Sequence, residues 1–168
     1  MKTEGAFNFL RSINLNKWFY HGGHPNWLAK RLNQWGAAVF ALGIAPNYMV
    51  MLEVQGRRSG RVIRLPLVMV VIDGERYLVS MLGVKAEWVR NVKAAGNQAT
   101  LHHGRREVVR LEEVAAAQRA PILKAYLQRA PGARPHIPVH KDAPLAEFEQ
   151  VAAQFLVFRV VVAGIPHV

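Results

Sequence analysis

Hydrophobic and polar residues alternate along the middle of the chain, in short stretches separated by turns that contain glycine. Alternation with a period of two is typical of strands that bury one face. Asp73-Gly74 has the residue types of a two-residue hairpin turn, and Gly104 marks a second hairpin. Pro66 falls inside the longest stretch and is expected at a sheet edge or a bulge. The predicted strands are 49–55, 62–72, 75–81, 99–103, 107–111 and 155–162.

Apolar residues recur at steps of three and four positions in other segments, which predicts helices. The first predicted helix, 25–42, has Trp27 and Trp35 on an apolar side and Lys30 on the polar side. Hairpins with few helical crossovers favour an antiparallel barrel with peripheral helices, of class α+β, over a doubly wound parallel sheet. Pro121 would start or kink the second of the later helices. These are 85–95, 111–129 and 144–154.

The length of 168 residues predicts a single domain, with an N-terminal arm and amphipathic helix over 1–46 and a barrel over 47–168. Hydrophobic residues make up 51% of the chain, which excludes an intrinsically disordered protein. Because there is no cysteine, disulfide scaffolds, zinc–cysteine sites and thiol nucleophiles are excluded. The early apolar stretch 35–46 is shorter than the roughly 20 residues that span a bilayer. These features predict a cytoplasmic protein.

The chain carries 22 basic and 11 acidic residues, a net charge of +11. The excess is concentrated in its first two thirds, since residues 51–111 hold eleven basic and five acidic residues whereas 112–168 hold six and five. This balance favours an anionic partner such as nucleic acid, an acidic membrane or a small molecule with phosphates or carboxylates. No nucleic-acid-binding module accompanies the arginines, so no nucleic-acid partner is predicted.

Catalytic and metal-binding signals are few. Ser59 and Ser80 lie outside any Gly-x-Ser-x-Gly elbow, which argues against a hydrolase. Pairs of histidines in loops are common, and no metal site is predicted. The strongest local feature is the turn Gly56-Arg57-Arg58-Ser59-Gly60, called the basic turn (56–60) below. Its glycines permit a tight turn, and its guanidiniums and hydroxyl can hold a phosphate. A basic surface turn without a ligand is the alternative.

Four motifs follow one another over about residues 45–111. They are the basic turn, Pro66-Leu67 in the next strand, Ser80 at the end of the strand after it, and Trp88-x-x-Asn91 in a helix. In this order they resemble the deazaflavin-dependent nitroreductase and quinone reductase family. The combination is much more specific than any one motif.

The resemblance implies a split β-barrel of the flavin-binding type that uses coenzyme F-420, a deazaflavin, with flavin mononucleotide as the second choice of cofactor. Hydride would pass from the reduced coenzyme to an apolar, electron-poor acceptor: a quinone, an enone or a nitro compound. Two chains would be able to pair as a homodimer. Ser80, Tyr126 or water would supply the proton. The implied coenzyme-binding residues are Arg57, Arg58, Ser59, Arg64, Pro66, Leu67, Ser80, Met81, Leu82, Gly83, Trp88 and Asn91.

Two departures from the family pattern weaken the expected anion site. Val62-Ile63 stands where the family has Pro-Arg, and the adjacent Arg64 should point to the opposite face of the strand. Met81-Leu82 stands where the family has a lysine after the serine. Each lost charge-assisted contact is worth about 1.5–3 kcal/mol. The alternative is therefore a fatty-acid- or lipid-binding member of the superfamily, with weak or no coenzyme binding and peripheral contact at the inner face of the cell membrane.

Overall fold

The computed structural model describes residues 48–163, and elements are numbered within this range. The predicted arm and helix over 1–46 lie outside the described residues. Among the residues that are described, no helix is long and apolar enough to cross a membrane. The strands are β1 Met49–Gln55, β2 Val62–Ile72, β3 Glu75–Ser80, β4 Gln98–His103, β5 Arg105–Glu113 and β6 Leu156–Val162. The helices are α1 Glu87–Ala94, α2 Ala120–Arg129 and α3 Leu145–Val151.

The six strands close into a barrel in the order β1-β2-β3-β6-β5-β4, with β4 pairing back onto β1 and every neighbouring pair antiparallel. Asp73 and Gly74 turn between β2 and β3 with φ of 51° and 80°, as the type I′ hairpin predicted from the Asp-Gly sequence requires. The predicted α+β fold, an antiparallel split barrel with peripheral helices, is confirmed.

The barrel is split along part of β2. This strand pairs with β1 over 62–68 but with β3 only over 69–72. The N–H of Met69 donates to the carbonyl of Tyr48 on the β1 side at 2.6 Å, so by alternation the nitrogen of Pro66 faces the unpaired side. The missing N–H of Pro66 therefore costs no ladder bond, which confirms its expected place at an edge.

Two hydrophobic cores result from the alternation of side chains across the barrel wall. The interior core is built by side chains such as Leu52, Leu78 and Leu111 and is closed at one end by α1. The outer core lies where α2 and α3 pack over the wall, with Val70 and Val157 among its residues. The outward side chains of β1 and β4 belong to neither core.

The helix predicted over 111–129 is wrong in its first half. Residues 111–113 continue β5 and pair with β6 opposite Val160, Arg159 and Phe158, and α2 begins only at Ala120, with Pro121 in its first turn. Pairing with a distant strand outweighs local helical periodicity here, as tertiary context commonly does. The prediction that Pro121 starts a helix is confirmed.

Candidate functional site

The basic turn joins β1 to β2 at one end of the barrel. The N–H of Gly56 donates to the carbonyl of Arg61, and the N–H of Gly60 donates to the carbonyl of Gly56, each at 2.8 Å. Gly60 has a φ of 65°, which glycine adopts without strain. Backbone hydrogen bonds thus hold the turn, and its side chains are available for other contacts.

Arg57 is the one arginine of the turn that contacts α1. Its Nη1 donates to Oε2 of Glu87 at 2.7 Å and to Oδ1 of Asn91 at 3.0 Å. The side chain of Arg57 is only 20% exposed, whereas that of Glu87 is 63% exposed. The hydrogen bond between them lowers the pKa of Glu87 and raises that of Arg57. The charge of Arg57, a predicted phosphate ligand, is therefore already compensated within the chain.

Asn91 is a buried residue of α1 that ties the helix to the basic turn. Its Oδ1 accepts the backbone N–H of Arg57 at 3.2 Å as well as the guanidinium N–H. A buried amide with such partners fixes the position of the turn relative to α1. Asn91 was predicted to bind the coenzyme, and the structure gives it this positioning contact.

Arg58 and Arg61 are exposed, and neither guanidinium makes a hydrogen bond or ion pair with a residue of the described range 48–163. Oγ of Ser59 accepts the N–H of Arg61 at 3.3 Å, which leaves its own proton available to donate. Within the same range the backbone N–H groups of Arg58 and Ser59 have no partner. A phosphate or carboxylate would fit here, because the turn and the residue after it offer two guanidiniums, a hydroxyl and two backbone N–H groups.

Ile63 covers the turn at the position where the family pattern has arginine. A Cβ built on Gly56 would lie 2.8 Å from Cδ1 of Ile63, so the isoleucine side chain lies close against the glycine. Ile63 is 37% exposed and its neighbour Val62 is 56% exposed. Ile63 therefore puts apolar surface beside the anion-binding groups, at a position where the family pattern has a cation.

Arg64 belongs to a second cluster, formed on the outer face of the barrel by Glu53, Arg64, His102 and Arg106 and called the outer-face cluster below. Glu53 accepts hydrogen bonds from Arg64 and Arg106 at 2.9 Å each, and Nε2 of His102 lies 3.3 Å from it outside hydrogen-bond geometry. Burial raises the pKa of Glu53, but the hydrogen bond from Arg64 and the charges of Arg64 and Arg106 outweigh it and hold the pKa below its usual value. Arg64, a predicted coenzyme contact, is thus engaged by a carboxylate.

Pro66 and Leu67 present their side chains differently, as alternation along β2 requires. Pro66 is exposed and lies on the same face of β2 as Arg64, whereas Leu67 is half-buried and packs against the interior core. Of this pair, Pro66 offers the exposed surface at the split edge of the barrel.

The segment from Ser80 to Gly83 forms a tight turn after β3. Oγ of the buried Ser80 donates to the carbonyl of Gly83 at 2.7 Å. Gly83 has a φ of 59°, and a Cβ there would lie 2.7 Å from the carbonyl oxygen of Gln154. Met81 packs against the outer core and Leu82 is 40% exposed. The only proton of the Ser80 hydroxyl is thus engaged in closing the turn, which favours a structural role for it.

Trp88 and Tyr126 lie in different cores. Trp88 is buried in the interior core, where its ring meets Phe158 edge-on with centroids 5.6 Å apart. Tyr126 is buried in the outer core on α2. The structure therefore joins the basic turn to Asn91 through Arg57, whereas Trp88 and Tyr126 lie in the two hydrophobic cores.

Glu87 and Arg61 are the residues of this site that the motif comparison does not include. Arg61 could have been found from the sequence, because it is the next basic residue after the turn. Glu87 could not, since it stands 30 positions from Arg57 and looks like an ordinary acidic residue in the first turn of a helix.

A separate groove of about 850 Å³ lies outside the barrel wall beside α2. Its polar lining includes Glu112 and Arg159, which form an ion pair at 2.8 Å, and its apolar lining includes Tyr77, Pro121 and Leu145. None of the predicted site residues lines it. We therefore take the basic turn, and not this groove, as the candidate site.

A barrel that is split beside β2 and carries a basic turn at that end is a split barrel of the flavin and deazaflavin type. The sequence profile described as "F420H(2)-dependent quinone reductase" matches residues 30–136. The chain belongs to this family, which confirms the resemblance inferred from its motifs. It is accordingly a deazaflavin-dependent reductase, and coenzyme F-420 is its cofactor.

The chain is also similar to several solved structures. Atu2129 of Agrobacterium tumefaciens, of unknown function, has a TM-score of 0.51 at 12% identity over 77% of this chain, which spans 55% of that protein's length. An F420-H2 dependent reductase, FDR-A, has a TM-score of 0.48 at 20% identity over 68% of this chain and 94% of its own. Rv2991 of Mycobacterium tuberculosis has a TM-score of 0.45 at 17% identity over 78% and 89%. No curated protein matches the chain.

Proposed function

We propose that the chain transfers hydride from reduced coenzyme F-420 to an apolar, electron-poor acceptor of the quinone type. The observation that carries the proposal is the pair of exposed guanidiniums, Arg58 and Arg61, which make no hydrogen bond or ion pair with the described residues and lie beside a turn held by its own backbone. An enone or a nitro compound is the alternative acceptor.

The residues proposed to hold the coenzyme fall into two groups. Arg58, Arg61 and Ser59 would bind its anionic part, because charge-assisted hydrogen bonds from guanidiniums are the strongest available at this end of the barrel. Pro66 and Leu82, which are exposed, would contact its ring. When bound, the reduced deazaflavin supplies the hydride, and the protein supplies binding, orientation and electrostatics.

Apolar surface near the turn suits a quinone-type acceptor. Val62 and Ile63 at the start of β2 and Leu82 and Val84 after β3 are all exposed, and antiparallel pairing puts these segments at the same end of the barrel. The proton would come from water, because the Ser80 hydroxyl is engaged and Tyr126 is buried in the outer core.

An anaerobic absorbance assay tests this function. Reduced coenzyme is mixed with the protein and a quinone, and its reoxidation is followed; a nitro compound and an enone are compared at equal concentration. We expect reoxidation to be fastest with the quinone and to fall steeply in Arg58→Ala. Arg129→Ala, which removes another exposed arginine from the end of α2, is the matched control and should retain the wild-type rate. Failure of the wild-type protein to reoxidise the coenzyme with any of the three would overturn the proposal.

A second candidate function is binding of a fatty carboxylate at a membrane surface. The observation that favours it is the same apolar end, with Val84 61% exposed and Val62 56% exposed beside Arg58.

We propose further that residues 1–46 form a separate arm and that 47–168 form the barrel domain. Removal of residues 1–46, which include the predicted amphipathic helix 25–42, should then leave a folded barrel, measured by thermal unfolding, and lower sedimentation with anionic vesicles. Unchanged vesicle binding would contradict a role of this arm in membrane contact.

A further inference from the structure

Glu87 lies where it competes with an anionic ligand for the basic turn. Its Oε2 accepts Nη1 of Arg57 at 2.7 Å, its Oε1 lies 3.4 Å from Nη2, and the same Oε1 accepts Arg90 at 3.2 Å. We propose that Glu87 withholds Arg57 from the coenzyme, so that two of the three arginines near the turn bind it. Glu87 is then the residue that sets how tightly the coenzyme is held. This inference rests on the proposed function.

The shape of the turn does not depend on Glu87. The N–H groups of Gly56 and Gly60 are satisfied within the turn, and the N–H of Arg57 is held by the buried Asn91. Removal of the Glu87 carboxylate therefore leaves these three backbone hydrogen bonds in place. The guanidinium of Arg57 would lose its strongest partner while its main chain stayed in position.

The charge of Glu87 affects anion binding in a definite direction. A carboxylate that is 63% exposed next to the turn repels an incoming phosphate and at the same time neutralises Arg57. Both effects weaken anion binding, so neutralising Glu87 should strengthen it. If Glu87 instead served to position the turn, the same change would weaken binding.

The first experiment compares Glu87→Gln with the wild-type chain by fluorescence titration with oxidised coenzyme F-420. We expect the dissociation constant to fall about threefold to tenfold at low salt and the advantage to shrink at higher salt, as screening requires. Glu147→Gln is the matched control, because it removes another exposed carboxylate, from α3, and its dissociation constant should stay within about twofold of wild type. Glu87→Ala, which cannot keep the hydrogen bond, should tighten binding at least as much. Thermal unfolding of each variant checks that the barrel is intact.

The second experiment asks whether the gain acts through Arg57. Arg57→Gln alone leaves the Glu87 carboxylate without its main partner, so it should weaken binding, but by less than Arg58→Ala does. Combined with Glu87→Gln, it should abolish most of the gain and return the dissociation constant to about the wild-type value. A Glu87→Gln protein that binds no more tightly, or a gain that survives loss of Arg57, would overturn the inference. Loss of binding in Arg57→Gln alone as large as in Arg58→Ala would also overturn it, because Arg57 would then already be a ligand.

The role of Glu87 and the proposed function can be overturned separately. Binding that depends on Arg58 but does not respond to Glu87 would overturn this inference and leave the proposed function standing. A wild-type protein that does not bind the coenzyme would overturn both.

Discussion

The basic turn and the outer-face cluster are both rich in arginine, yet their guanidiniums are in opposite states. Arg58 in the turn and Arg61 just after it are exposed, and neither makes a hydrogen bond or ion pair within residues 48–163. In the outer-face cluster, Arg64 and Arg106 both donate to Glu53, whose side chain is only 9% exposed. The basic turn can bind an anion from outside the chain, whereas the outer-face cluster already contains an anion, the carboxylate of Glu53.

The difference shows that the positions of the carboxylates, more than the number of arginines, decide where an anion can bind. The carboxylate that engages Arg64 stands eleven positions earlier on the neighbouring strand, directly opposite it in the β1–β2 register. Arg57 is an intermediate case, because it belongs to the basic turn but is held by Glu87. The three predictions that follow test this contrast, from the largest expected effect to the smallest.

The largest effect is expected at the turn itself. Arg58→Ala should raise the dissociation constant of oxidised coenzyme F-420 by about tenfold or more, because a charge-assisted contact is lost. Arg61→Ala should raise it less. Fluorescence titration measures both, and a larger loss from Arg61→Ala than from Arg58→Ala would mean that the turn has been assigned wrongly.

A smaller effect is expected from Glu53→Gln, and it concerns stability. The folded-state pKa of Glu53 lies below the ordinary value of 4.5. Its contribution is therefore fully present above about pH 4.5 and is lost as the pH falls through the folded-state pKa. We expect Glu53→Gln to lower the free energy of unfolding at pH 7 by about 1 kcal/mol, a modest figure because solvent screens the half-exposed arginines.

Denaturant unfolding at pH 7, 5 and 3 tests this expectation. The loss of stability of the wild-type protein between pH 5 and 3 should be greater than that of Glu53→Gln, because the variant has no carboxylate to titrate at this position. Parallel pH profiles for the two proteins would contradict the assigned ion pairs. Glu147→Gln, on the surface of α3, is the control for a change of net charge.

The smallest effect is expected from Arg64→Ala on coenzyme binding. Because Glu53 compensates the charge of Arg64, its loss should change the dissociation constant by less than about threefold and unfolding by less than about 1 kcal/mol. A loss of coenzyme affinity as large as that of Arg58→Ala would show that both regions bind the anion, and the contrast would fail.

The strands of the barrel were predictable because their alternation is strong and their turns carry clear signals. β1 and β2 were predicted with the bounds that the structure has, and the hairpin at Asp73-Gly74 follows from residue types alone. The failure came at residues 111–113, where pairing with β6 from far along the chain decides the conformation. Local periodicity carries no information about that partner.

The candidate site was predictable only where its residues are neighbours in sequence. The basic turn could be recognised, and its arginines could be given an anion-binding role. The contacts that divide these arginines into engaged and available ones join positions far apart, as Glu87 does with Arg57. Burial is similarly invisible in a motif, since Ser80, Trp88 and Asn91 match the family pattern but are enclosed within the protein.

The most direct test of the central claim is a fluorescence titration of the delipidated wild-type protein with oxidised coenzyme F-420 at low and moderate salt. Anion binding by exposed arginines predicts a micromolar dissociation constant that rises as salt is added. Absence of binding at tens of micromolar coenzyme, or binding that salt does not weaken, would contradict the claim that Arg58 and Arg61 hold the coenzyme.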